Sequence, residues 1–118
     1  MRVIRIEPGQ EPELINIENT LQSLQQQVGG YIECVTLRRE HVEMIVNEEG
    51  WLQNLSFNEI ASVISDHQIV GTALIVSVSG EKFTDVEEYV VRICERKIDQ
   101  WKKLKEEGVY YQCLISRE

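Results

Sequence analysis

The sequence is poor in the residues that carry most enzyme chemistry. It has two histidines, His41 and His67, and three cysteines, Cys34, Cys94 and Cys113. No pair among them has zinc-ligand spacing, and no carboxylate run has the spacing of a calcium loop. The cysteines are odd in number, far apart and set among apolar neighbours. They read as small buried hydrophobes in a reducing compartment, not as a disulfide framework. No metal and no cofactor is expected. Dinucleotide and P-loop motifs are missing. So are repeats, low-complexity tracts and linkers, which leaves one domain over residues 1–118. No apolar run approaches the ~18 residues that cross a bilayer. The opening MRVIRIEP alternates charged and apolar residues and lacks the apolar stretch of a signal peptide. A cytoplasmic protein with no membrane partner is therefore expected.

Positive charge is also scarce, and unevenly so. The formal net charge is −8, and residues 1–80 carry 11 acids against 4 bases. An acidic body disfavours nucleic acid, whose non-specific binding is driven by counterions released from neutralised phosphates. Direct nucleic-acid binding is not expected.

What is present patterns into an α+β domain. Residues 2–7 read as a short strand ended by Pro8-Gly9, and residues 13–18 as its hairpin partner. The Arg/Glu alternation of the first strand predicts that its second face is solvated or covered by another subunit. Asn19 then caps a helix, with Gln22 in the capping-box position and Ile17, Leu21, Leu24 and Val28 on one stripe. Residues 31–37 and 41–47 form an antiparallel pair around Arg38-Arg39-Glu40. A short helix is expected over 57–65 behind Ser56, and a central strand over 69–78, interrupted by Gly71. Thr84 or Asp85 caps a long helix reaching residue 107, with Val86, Val90, Cys94, Ile98 and Trp101 on its apolar stripe. Gly108 stops it and residues 109–116 close the fold as a strand. The spacing predicts a mainly antiparallel sheet with two or three helices packed on one face.

The motifs that suggest chemistry each have a plainer reading. Gly29-Gly30 follows a helix and precedes a strand, whereas a phosphate cradle needs the N–H-rich start of a helix. Gly29 is a helix C-cap, and Gly30 leaves room for a close backbone approach. The carboxylate neighbours Glu48-Glu49, Glu87-Glu88 and Glu106-Glu107 diverge on strands and helices alike, so none is an acid/base pair. Asp66-His67 reads as a surface turn. Bases over residues 97–105 interleave with Trp101, but acids interrupt them, which fits a solvated helix face. No nucleophile with a neighbouring base emerges, so no catalytic residues are assigned and a non-enzymatic role is expected.

Three blocks, INIENTLQSLQQQVGGYIECVTL (15–37), IVNEEGWLQNLSFNEIA (45–61) and IVGTALIVSVSGEKFTDVEE (69–88), resemble the small domains known as domain of unknown function 3846. The similarity covers roughly residues 2–90, with the helix over 85–107 and the last strand as additions. The family pattern carries Gly-Leu-Pro and then Asn-Arg after Asn-Glu-Glu-Gly. Here Asn58 matches, and the proline and arginine are replaced. The resemblance implies a phage or mobile-element setting in a bacterial cytoplasm, where small binding proteins serve counter-defence.

On that basis the chain is expected to sequester a nucleotide-type immune signal. The resemblance and the strand-end position together place its ligand site at Asn47, Glu48, Glu49, Trp51, Asn58, Gly71 and Thr72. Arg38 and Arg39, or Arg2 and Arg5, would supply the cations that a phosphate needs. Such sites often lie between subunits, which is compatible with a homo-oligomer. The alternative is an acidic inhibitor or DNA mimic that binds a host defence protein. A mimic needs one contiguous acidic face. A sequestering protein needs a concave site with at least one cation.

Overall fold

The computed structural model describes residues 1–37, 39 and 41–108. Arg38, Cys113 and the strand expected over 109–116 lie outside them. Among the described residues, six strands make one sheet and every pairing is antiparallel. They are β1 (Arg2–Ile6), β2 (Glu13–Asn16), β3 (Ile32–Thr36), β4 (Val42–Asn47), β5 (Ala73–Ser79) and β6 (Lys82–Thr84), in the order β2-β1-β5-β4-β3. On one flank β5 pairs with β4. On the other it pairs first with β1, through Ile4 opposite Ile75, and then with β6, through Ser77 opposite Thr84.

Helices α2 (Glu59–Ser65) and α3 (Glu88–Glu106) cover one face. The core there joins Ile4, Ile6, Met44, Val46 and Ile75 to Ile64, Val90, Cys94, Ile98 and Trp101. The stripe read from α3's spacing is thus the buried one. Helix α1 (Leu21–Val28) covers the opposite face, where Leu24 and Val28 meet Val3, Ile45, Leu74 and Val76. The antiparallel α+β plan holds, with two helices on one face and the third on the other. This corrects the reading of β1. Its second face is neither solvated nor left for a partner, because Val3 packs under α1 and Arg5 donates to Gln27 at 3.3 Å.

Gly29 ends α1 at φ 80°, its N–H donating to Gln25 O at 2.8 Å, as a left-handed C-cap does. The N-caps differ from expectation by one to three residues, and tertiary contacts claim two of the expected caps, Asn19 and Asp85. Thr20, not Asn19, caps α1, while Asn19 Nδ2 donates to Phe83 O of β6 at 2.9 Å. Asn58, not Ser56, caps α2. Glu87 precedes α3, while the Asp85 carboxylate accepts the Arg2 N–H at 2.8 Å. The central strand begins at Ala73, not residue 69, because Gly71 turns the chain at φ 77°. The short β6 was not anticipated. Its signal was Gly80, whose φ of 62° opens a two-residue hairpin turn.

Cys34 is exposed rather than buried; among the described residues its strand β3 has a strand neighbour on one side only. Cys94 is buried, and that burial pushes its thiol up to about 11. A group whose folded pKa is raised stabilises fully below its unfolded pKa, and that contribution fades as pH climbs through the folded value. We expect the parent protein to lose stability relative to Cys94→Val between pH 9 and pH 11. The difference in unfolding free energy should shift in favour of the variant by up to roughly 2–3 kcal/mol. Urea titrations of both proteins at the two pH values measure it, and a constant gap would refute the assignment.

Candidate functional site

The end of the sheet where β4 finishes and β5 starts was expected to hold a ligand. Its two asparagines are occupied by the fold itself. Asn47 is buried, and its Nδ2 donates to Val28 O at 3.1 Å and Gln53 Oε1 at 3.2 Å. Its Oδ1 accepts the Glu49 N–H at 2.7 Å. Gly30 permits a close approach, but by this side chain and not by a ligand: a Cβ there would lie 3.0 Å from Asn47 Nδ2. Asn58 is 1% exposed. Its Nδ2 donates to Ile6 O at 2.9 Å and Gly71 O at 2.8 Å, and its Oδ1 accepts the Ala61 N–H at 3.2 Å. Both amide hydrogens are spent, so Asn58 offers a ligand no donor.

The remaining expected residues divide between separate cavities. Glu48 and Trp51, together with Asn47, line one of about 510 Å³ beside β3. Gly71 and Thr72 line another, with Gln26, Gln27 and Ser56. Glu49 is exposed on the turn after β4. Among the described residues, Arg2, Arg5 and Arg39 do not converge on this end. Arg39 lies in the β3–β4 connection, at the far end of both strands. Arg5 is engaged by Glu13 and Arg2 by Glu88. Among the described residues, no arginine therefore reaches an anion site built on Asn47, Asn58 and Gly71.

Cations do border a different cavity. The β1–β2 loop, the start of α2 and the last turns of α3 enclose about 630 Å³, lined by Gln10, Glu11, Phe57, Trp101, Lys102 and Lys105 among others. Lys102 Nζ lies 2.7 Å from Glu11 Oε1, and Lys105 Nζ lies 3.3 Å from Glu59 Oε2. Lys105 also sits 4.8 Å above the centroid of the Trp101 ring, in cation–π range. Phe57 is 43% exposed. The sequence held a signal for this groove. Trp101 and Lys105 are four residues apart and so share a helix face, but the approach of residues 9–11 from the other side of the fold is not visible in any local pattern.

A family model described as a domain of unknown function (DUF3846) matches residues 1–100. The chain belongs to this family. No curated protein and no solved structure matches it. The DUF3846 match reaches past the core of 2–90 that the three blocks suggested, and takes α3 in up to residue 100. The asparagine ties of the sheet end lie inside the DUF3846 region, whereas Trp101, Lys102 and Lys105 lie just after it. The lysine groove is thus walled partly by DUF3846 residues and partly by the last turns of α3.

The outer face of α3 does not carry one sign of charge. Glu95 and Asp99 are interleaved with Arg92, Arg96 and Lys102.

Proposed function

We propose that this protein acts by binding and not by catalysis, and that it holds a small anionic ligand with a planar ring in the lysine groove. The observation that carries this reading is one cavity that borders two ammonium groups, each facing a carboxylate it can exchange, with Glu106 also on its wall and Phe57, 43% exposed, at its side. Its volume is that of a small-molecule site, typically about 300–1,000 Å³. The two lysines are paired with carboxylates only at the surface, and such pairs are worth roughly 0–1 kcal/mol. A phosphate can displace those carboxylates and gain charge-assisted hydrogen bonds. The planar ring of a nucleotide can lie on Phe57. The raised, buried Cys94 thiol is unsuited to act as a nucleophile, which works as the thiolate. Taken with the setting that the resemblance implies, the ligand is a nucleotide-type signal of host immunity, and the protein acts by withholding it.

The test uses Trp51→Phe, which leaves Trp101 as the sole tryptophan. Its fluorescence is titrated with nucleoside monophosphates and cyclic dinucleotides. A saturable change is expected with one of them, at a Kd on the order of micromolar. Lys102→Gln with Lys105→Gln should weaken it by about tenfold or more, some 1.4 kcal/mol. A flat titration with every nucleotide, or an unchanged Kd in the double variant, would overturn the reading.

A further inference from the structure

The other edge of the sheet carries a surface that the lysine groove does not use. β3 ends the sheet, and among the described residues its outer side pairs with no strand. The other flanks are better protected. β2 is four residues long, and the Phe83 carbonyl of β6 is taken by Asn19. An open strand edge is a template for one more strand.

Beside that edge runs the cavity of about 510 Å³, between β3 and residues 67–70. Val35, Val46, Ile69 and Val70 give it apolar walls, and Glu33 and Glu48 add carboxylates. Glu33 stands directly opposite Val46 in the ladder, so both project to the same face. Neither Glu33 nor Glu48 is in a salt bridge among the described residues. Trp51 lines the cavity too and is 64% exposed.

The turn that bears Trp51 is firmly held. Gln53 N–H donates to Glu49 O at 2.9 Å and Leu55 N–H to Gly50 O at 3.0 Å. Gly50 lies against Val70, where a Cβ would meet Val70 Cγ2 at 2.8 Å. Glu48 N–H donates to Tyr31 O at 2.8 Å, which joins this turn to the start of β3. Tyr31 and Leu52 flank it, 66% and 84% exposed.

We propose that the edge of β3 takes up an extended basic segment of a protein partner as an added strand, with one arginine or lysine of that segment laid in the groove. Charge selects the occupant. The stem of a long cationic side chain covers the valine and isoleucine walls. Its head meets Glu33 and Glu48, and the Trp51 ring adds a cation–π contact. Main-chain hydrogen bonds to β3 supply affinity, and the groove reads every second side chain.

The probe is a short fluorescein-labelled peptide of alternating valine and arginine, followed by anisotropy with the full chain at physiological salt. Saturable binding is expected. Glu33→Arg with Glu48→Arg should weaken it at least about tenfold, and Trp51→Ala about threefold or more. Glu95→Arg with Asp99→Arg makes the same change in net charge on the outer face of α3, and should alter binding less than about twofold. The same peptide N-methylated at alternate residues should fail to bind. Equal losses in the two charge-reversed proteins would reduce the effect to bulk attraction and overturn the proposal. So would full binding of the N-methylated peptide, or sedimentation as a dimer that the peptide does not dissociate. All these variants leave the lysine groove untouched, so a negative result here is separate from one there.

Discussion

Asn58→Ala lowers the unfolding free energy by about 3–5 kcal/mol, read from the urea midpoint at constant m. The side chain makes three hydrogen bonds in a site with almost no exposure. Alanine leaves the Ile6 and Gly71 carbonyls without that donor and removes the cap of α2. Each buried group left without a partner costs about 1–3 kcal/mol, and a lost cap about 1. Three separate parts of the chain lose a common tie: the end of β1, the turn at Gly71 and the start of α2. Asn58→Asp is the sharper variant. It keeps the shape and the cap acceptor but turns a carboxylate oxygen towards two carbonyls. We expect it to be as damaging as alanine at neutral pH and to recover towards acid, where the carboxyl protonates. A loss below about 1 kcal/mol in both variants would mean that Asn58 does not tie these segments together.

Trp101→Ala is the second large effect, at about 3–5 kcal/mol, the usual range for deleting a buried tryptophan. Trp101 is 7% exposed and closes the end of the α2–α3 core. A domain of this kind has only about 5–15 kcal/mol in total, so the variant should melt far below the parent in a circular-dichroism scan. Trp101→Phe separates packing from polarity. The indole N–H is buried without an acceptor among the described residues, so removing it recovers part of what the smaller ring loses. We expect Phe to cost less than half of what Ala costs. Equal losses would place the value of Trp101 in its N–H and not in its ring.

These two residues show where the sequence was legible and where it was not. Trp101 falls on a stripe of four- and three-residue steps, and burial followed the stripe. The β3–β4 hairpin and the Gly29 cap were as readable, since each rests on a local pattern. Asn47 and Asn58 were not. A polar residue at a strand end looks the same whether it will bind a ligand or a carbonyl from far along the chain, and here the Ile6 carbonyl comes from the first strand. The helix caps slipped for a related reason. Several good capping residues sit side by side at each start, and long-range bonds from Asn19 and Asp85 decided which were free. Lys102 and Lys105 were visible as a favourable charge at a helix C-terminus. Their place on a groove depends on Glu11 and Glu59, which arrive from elsewhere.

The position of β1 has a consequence for how the protein is made. The first strand of the chain lies inside the sheet, held between β2 and β5. On the ribosome its hairpin with β2 can form early, but its other neighbour is synthesised only after four strands and two helices have emerged. Until then the flank of β1 that will meet β5 is an unpaired edge, and Ile4 and Ile6 lack the core that later buries them. Such late, non-local pairing is slow and exposes a nascent chain to aggregation. The sheet therefore closes only when β5 slides between the first hairpin and the β3–β4 hairpin and joins the two.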